Sequence, residues 1–309
     1  MLRKLKLGTR GSPLALWQAN CTKDALLKGR DDLEIEIITI STRAETFSER
    51  PLETIGVGVF TKELDEATLR GDIALAVHSL KDIPSQLAAG LVLAAVLERE
   101  SPFDALISST GVKLDDLPSG AVIGTGSPRR KAQLLARRPD FEVVPMRGNV
   151  ETRLRKLREH GLAGTILAYA GLVRLGREDV ITHLLDADIM VPAVGQGAVA
   201  VTAREDDSQL RELLAGIDHR PTRLAVEAER GYLSELRGGC QVPAGALATL
   251  DGDRVSIEGV VASPDGATRL RGMRSGDAKE PVETGRGLAR ELLDRGGREI
   301  LARLRDTQR

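Results

Sequence analysis

The first two thirds of the chain alternate between strand-like and helix-like patterns of apolar and polar residues. Residues 33–40 (LEIEIITI) carry β-branched isoleucines in partial alternation with glutamates, which predicts a strand. Residues 73–77 (IALAV), 121–124 (AVIG) and 165–169 (TILAY) are short continuous apolar runs, the pattern of buried parallel strands. Between them, residues 13–28, 61–70, 128–138 and 150–159 read as helices. This alternation predicts an α/β fold, an open sheet with helices on both faces. The last third differs. Strands are predicted at 246–250, 254–262 and 267–273, separated by Asp251-Gly252 and by Pro264-Asp265-Gly266, and a helix follows at 283–304. That is an α+β unit on an antiparallel sheet, with its boundary near Arg220-Pro221. Two further breaks, 98–103 (ERESPF) and 191–197 (VPAVGQG), fall between α/β segments. A chain that leaves one lobe and later returns to it needs two such crossings, although a plain turn at 191–197 also fits.

Composition narrows the function. The chain has 309 residues, enough for two or three domains. Its 44 basic and 45 acidic residues give a net charge of −1, which argues against a broad nucleic-acid-binding surface. Aromatics make up only 2%, too few for base-stacking platforms. No apolar run reaches the roughly 18 residues of a membrane span, and the opening MLRKLKLGTR lacks the apolar core of a secretory signal. Cys21 and Cys240 form no C-x-x-C motif, so a cytoplasmic location is expected. His78, His160, His183 and His219 are scattered, so no metal site is expected.

Any anion site in so balanced a chain must be a local concentration of arginine. Such a concentration occurs at predicted helix starts. Ser12-Pro13 and Ser127-Pro128 place a capping serine before a proline at the first helical position, and Asn149 can cap the helix 150–159. Arg10 precedes the first start, Arg129 and Arg130 fall in the first turn of the second, and Arg147 and Arg153 flank the third. Helix N-termini carry partial positive charge and disfavour arginine. The recurrence therefore suggests an anion shared by free N–H groups and guanidinium forks; exposed arginines near caps are the plainer alternative. On the anion reading, Arg130→Leu impairs chemistry and leaves the unfolding temperature unchanged or slightly higher. The loop GTGSPRR (124–130) lacks the third glycine of a dinucleotide fingerprint and has no G-K-[ST], which disfavours a nucleotide cofactor. Asp82 follows the buried strand 73–77, where ligands of open α/β sheets bind. It can handle a proton or face a developing cation, or it can be a turn aspartate. Cys240 lies in the glycine-flanked GGCQVP (238–243), as a covalent attachment point or as a small buried hydrophobe.

GTRGSPLALWQA (8–19), AVHSLKDIP (76–84), IGTGSPRRKAQL (123–134), RGNVETRL (147–154), ILAYAGLVRLG (166–176), PAVGQGA (192–198) and GGCQVP (238–243) together resemble the porphobilinogen deaminase (hydroxymethylbilane synthase) family, in its order and at its spacings. The resemblance implies two lobes similar to periplasmic binding proteins, with mixed sheets, and a C-terminal domain that carries the cofactor cysteine. The expected division is 1–99 with 198–219, then 100–197, then 220–309. It implies an ammonia-releasing transferase of heme and tetrapyrrole biosynthesis that condenses four porphobilinogen molecules stepwise and releases hydroxymethylbilane by hydrolysis.

Residue by residue, Cys240 matches the cysteine that holds a dipyrromethane cofactor by a thioether, and Asp82 the catalytic aspartate. Arg10, Arg129, Arg130, Arg147, Arg153 and Arg174 match arginines that bind acetate and propionate groups. Ser79, Lys81, Thr125 and Ser127 match neighbouring polar contacts, and Lys62 the lysine after the lid; Ser12, Gln18, Asn149 and Gln196 join the expected binding set. Two departures stand out. The lid reads GVGVF (56–60), one residue shorter than the family's G-G-K-G-L-F and without its lysine, and Phe103 replaces the arginine of a P-R-D-A pattern. A monomer acting on a small molecule, without nucleic acid or membrane, is expected. A non-enzymatic two-lobed carboxylate-binding protein is the competing reading; it needs neither Cys240 nor a third domain.

Overall fold

The computed structural model describes residues 3–42, 60–237 and 242–307. The lid residues 56–59 and the Cys240 loop at 238–241 lie outside the described residues. The chain folds into two compact units, one of residues 1–100 with 198–223, the other of residues 101–197 with 224–309.

The first unit holds a five-stranded mixed sheet in the order Leu33–Thr39, Arg3–Thr9, Leu75–Ser79, Val199–Arg204, Leu91–Val96. Its first three strands run parallel, and Val199–Arg204 is antiparallel to both of its neighbours. Alternation along the strands sorts side chains to two faces. Leu75 and Val77 join Leu5, Leu7, Val199 and Val201 in a core covered by Leu26, Leu210 and Leu214. Ala76, between them, meets Leu64, Ala67 and Ile73 on the other side.

The second unit repeats the plan. Its sheet runs Glu142–Val144, Val122–Gly124, Gly164–Ala168, Asp104–Ser108, His183–Leu185, and Asp104–Ser108 is the antiparallel strand in the fourth place. Leu106 and Ile166 pack with Leu134 on one face, while Ala105, Ile107 and Leu167 pack with Leu154, Leu157 and Leu172 on the other. In each sheet the antiparallel strand follows the point where the chain enters that unit, near residues 101 and 198.

The C-terminal segment of this unit is an antiparallel sheet of Ala244–Asp251, Arg254–Ala262 and Arg269–Asp277 in sequence order. Helices Arg220–Glu235 and Pro281–Leu292 lie against it, with Ala228, Tyr232, Leu288 and Leu292 packed on Val255, Ile257 and Val261. The single helix expected over 283–304 is broken. Pro281–Leu292 and Arg298–Thr307 are separate, because Gly296 adopts φ 112, a conformation outside the right-handed helix. Among the described residues no helix is long and apolar enough to cross a membrane.

Candidate active site

The three caps read from the sequence are present. Ser12 Oγ accepts from Ala15 N at 3.3 Å, Ser127 Oγ from Arg130 N at 3.4 Å, and Asn149 Oδ1 from Thr152 N at 2.8 Å. Each cap fixes where its arginines begin, and the expected site residues are divided between the two units.

On the first unit, strand Arg3–Thr9 ends at Arg10, and strand Leu75–Ser79 runs into a short turn, Leu80–Asp82. Asp82 thus stands beyond the carboxyl end of a parallel strand, where the sequence placed it. The turn is anchored from behind by Leu80 N donating to Ala198 O at 3.0 Å. Arg10, Ser12, Gln18, His78, Ser79 and Asp82 line one cavity with Phe60. The Phe60 ring sits 4.8 Å from the Arg10 guanidinium carbon, a cation–π contact. Gln18 is buried and donates to Ser79 Oγ at 2.9 Å. Asp82 is half-buried. His78, buried beside it in the lining, sits 3.3 Å from Thr202 Oγ1 through Nε2. Burial, and next the positive charge of Arg10, pull its pKa down to about 4, so the imidazole is neutral at neutral pH. Lys62 starts helix Lys62–Arg70 and faces Glu66 at 4.0 Å. Lys62 and Lys81 do not line the cavity.

On the second unit, the loop after strand Val122–Gly124 is held by Thr125 N donating to Val144 O at 2.9 Å and Ser127 N to Thr125 Oγ1 at 3.2 Å. Arg129 and Arg130 then turn inward. Both are 5% exposed, and both close on Asp104, which is fully buried. Arg129 Nη1 donates to Asp104 Oδ2 at 2.7 Å; Arg130 donates to Oδ1 through Nε at 3.0 Å and Nη2 at 2.8 Å. Arg129 Nη1 also reaches Val191 O at 2.9 Å, and Arg130 Nη1 reaches Ile166 O at 2.8 Å. Burial alone would raise the Asp104 pKa; the two guanidiniums outweigh it and hold the carboxyl well below the usual range. The expectation that Arg130→Leu leaves stability unchanged is therefore corrected. Arg130 is the partner of a buried carboxylate, and that pairing outweighs repulsion from the helix end.

Gln196 completes the cluster, with Nε2 donating to Asp104 Oδ1 at 3.0 Å and to Pro102 O at 2.7 Å. Arg174 Nη2 donates to Gly197 O at 2.7 Å. Arg153 Nε donates to Gly148 O at 2.9 Å. Arg147 is half-buried, burial lowers its pKa, and its Nη1 is a buried donor without a hydrogen-bond partner among the described residues. Three groups escaped the sequence reading. Asp104 carried no spacing signal, and only its neighbour Phe103 stood out. His78 lay inside a motif but had no assigned role. Phe60 stands in the sequence pattern only as the end of the lid.

In this two-unit mixed α/β protein, Arg10 and Asp82 line one cavity on the first unit, and Arg129 and Arg130 close on the buried Asp104 on the second. Residues 5–212 match the family model described as porphobilinogen deaminase, dipyromethane cofactor binding domain, and residues 223–294 the porphobilinogen deaminase C-terminal domain. The porphobilinogen deaminase of Pelotomaculum thermopropionicum is 49% identical, covering 100% of this chain and 99% of that one. That of Syntrophomonas wolfei is 50% identical over 98% of this chain and 100% of its own. Among solved structures, the methionine binding protein MetQ aligns over 69% of this chain and 89% of its own, at 13% identity and a TM-score of 0.44. The chain belongs to the porphobilinogen deaminase family.

Proposed function

We propose that the chain condenses four porphobilinogen molecules with loss of ammonia and releases hydroxymethylbilane, using a dipyrromethane joined by a thioether to Cys240. The observation that carries this reading is the full-length match to the family, including its cofactor-binding domain. The arginine geometry fits such a group. Arg147 Nη1 is a buried donor that awaits an acceptor, and a carboxylate supplies one. Arg129 keeps Nε and Nη2 outside its bonds to Asp104 and Val191. The residues that hold the cofactor and substrate carboxylates are Arg10, Arg129, Arg130, Arg147, Arg153 and Arg174. Thr125, Ser127, Ser79, Lys81 and Lys62 supply further polar contacts. When bound, the dipyrromethane supplies the free pyrrole α-carbon that takes up the next ring.

Asp82 does the chemistry that this chain contributes. Loss of ammonia from porphobilinogen leaves an azafulvenium-like cation with charge spread to the ring nitrogen. The Asp82 carboxylate faces that charge and moves the protons of deamination and of the final deprotonation. Neutral His78 adds no competing positive charge to this wall of the cavity. Ser12 and Asn149 act as caps, and Gln18 and Gln196 as braces of Ser79 and Asp104.

The second unit divides further into its 101–197 and 224–309 segments, giving three domains with the last beginning near residue 220. The support is its separate cores, one of residues from Ala225 onward joined by Val194, and two drawn from residues 105–190. A cytoplasmic monomer completes the reading. The test is stoichiometric: purified protein given porphobilinogen releases four equivalents of ammonia per tetrapyrrole. Porphobilinogen bound but unchanged, with no ammonia, contradicts the reading and favours a binding protein.

A further inference from the structure

The charge of Asp104 has the wrong sign for an anion site. This fully buried carboxylate is set against Arg129 and Arg130, two of the residues read above as holders of ligand carboxylates. Its negative charge subtracts from the attraction that those guanidiniums exert on any other anion. A site tuned for charge alone would have no aspartate here. Yet Asp104 takes four donors on its two oxygens. Oδ1 accepts from Arg130 Nε at 3.0 Å, Arg130 Nη2 at 2.8 Å and Gln196 Nε2 at 3.0 Å, and Oδ2 accepts from Arg129 Nη1 at 2.7 Å. Only an ionised carboxylate has acceptor sites for all four.

Geometry supplies the reason. Asp104 opens strand Asp104–Ser108 and is paired on both sides, opposite Ala168 and Leu185, so its backbone is fixed. Each guanidinium is held at a second point by a backbone carbonyl, Arg129 Nη1 by Val191 O at 2.9 Å and Arg130 Nη1 by Ile166 O at 2.8 Å. Asp104 and one carbonyl together thus fix the plane of each fork. The Arg129 stem has little slack, since a Cβ on Gly245 would lie 3.1 Å from its Cδ. Both of these Arg129 acceptors lie on Nη1, and the Nε–Nη2 edge is the fork that fits a carboxylate side-on. Asp104 also separates two like charges. Burial lowers the Arg130 pKa, the Asp104 charge opposes that, and the Arg129 charge adds to it. Without the aspartate the two guanidiniums repel each other and lose a shared anchor.

We infer that Asp104 is a positioning residue: it fixes the planes of Arg129 and Arg130 for the carboxylates of the pyrrole chain, so that removing its negative charge weakens anion binding instead of strengthening it. This rests on the function proposed above. Asp104, Arg129, Arg130 and Gln196 all belong to one compact unit, so the frame is complete within it. Charge alone and positioning predict opposite signs for one substitution, and a merely structural aspartate predicts no change in binding by the folded protein. Preorganised forks of this kind are where misplacement is felt most.

The experiment uses the full-length chain in cofactor-free form, with wild type and Asp104→Asn compared well below both unfolding midpoints. Porphobilinogen is added, and covalent loading is followed by intact-protein mass spectrometry. The folded variant is expected to load about tenfold more slowly, or slower still, the effect of one charge-assisted hydrogen bond lost. Its loaded fraction is expected to show a KM for porphobilinogen raised to the same degree, with kcat little changed. Loading and KM equal to those of wild type, or faster loading with a lower KM, overturn the inference whatever happens to the midpoint. The first is the result of a structural aspartate, the second that of charge alone. Should Asp104→Asn not accumulate as folded protein, Asp104→Glu keeps the charge, moves the acceptors by one methylene and carries the same two outcomes. Failure of the functional reading is seen separately, as wild type that acquires no covalent pyrroles and releases no ammonia.

Discussion

Asp104 lies on the strand Asp104–Ser108 with no solvent contact, and its charge is balanced by two arginines from the next helix start. Removing one partner of such a cluster leaves buried charge uncompensated and costs about 3–5 kcal/mol. Arg130→Leu is therefore expected to lower unfolding stability by that order, measured by denaturant titration; an unchanged midpoint contradicts the pairing. Because the folded pKa of Asp104 is depressed, its contribution is fully present above the ordinary value of 3.8 and is lost only as pH falls toward the folded pKa. His78 acts in a different window. Its folded pKa is about 4 against an ordinary 6.5, so between those values the unfolded chain binds the proton that the folded chain refuses. Its contribution is present above the ordinary value and is lost as pH falls toward the folded one. Wild type should lose about 2 kcal/mol more than His78→Gln between about pH 7 and pH 5. Parallel pH profiles of the two proteins would show that the buried imidazole is protonated normally. At Asp82, Asp82→Asn should fold and keep its cofactor but lose about 10²–10³ in kcat, and near-wild-type turnover would remove the carboxylate from the mechanism.

Elements were legible where their signals are local. Ser12-Pro13 and Ser127-Pro128 start helices because cap and proline act within one turn, and the structure confirms both starts. The strand Arg254–Ala262 matches the sequence reading to the residue. Strand Val199–Arg204 was not legible, because its role as the antiparallel fourth strand is set by neighbours more than a hundred residues away. The ion cluster was hidden for the same reason: Asp104 meets Arg130 across 26 residues of sequence, and no periodicity records that meeting. The helix break at Gly296 had a local signal, the pair Gly296-Gly297, which the helical pattern around it masked. Packing between helices adds a constraint of its own. A Cβ on Gly285, in helix Pro281–Leu292, would lie 1.8 Å from Ala228 O on helix Arg220–Glu235. Backbone cannot yield there as a side-chain tip would, so Gly285→Ala should cost about 1–3 kcal/mol as overpacking. Equal thermal midpoints for variant and wild type would mean that the two helices are not locked at this crossing.

At the scale of the whole molecule, a protein of net charge −1 assembles arginine on the folds of two similar sheets and buries part of that charge against one aspartate. Such an arrangement suits a ligand that brings carboxylates, and family membership names the ligand as a pyrrole chain. Attachment of that chain at Cys240, just before strand Ala244–Asp251 in the sequence, is the central proposal. Intact-protein mass spectrometry of wild type and Cys240→Ser tests this most directly. Wild type should carry an added mass matching two condensed pyrrole units, and Cys240→Ser should show the mass of its sequence alone. Wild type without the adduct, or an adduct that persists in Cys240→Ser or resides on Cys21, would contradict the account.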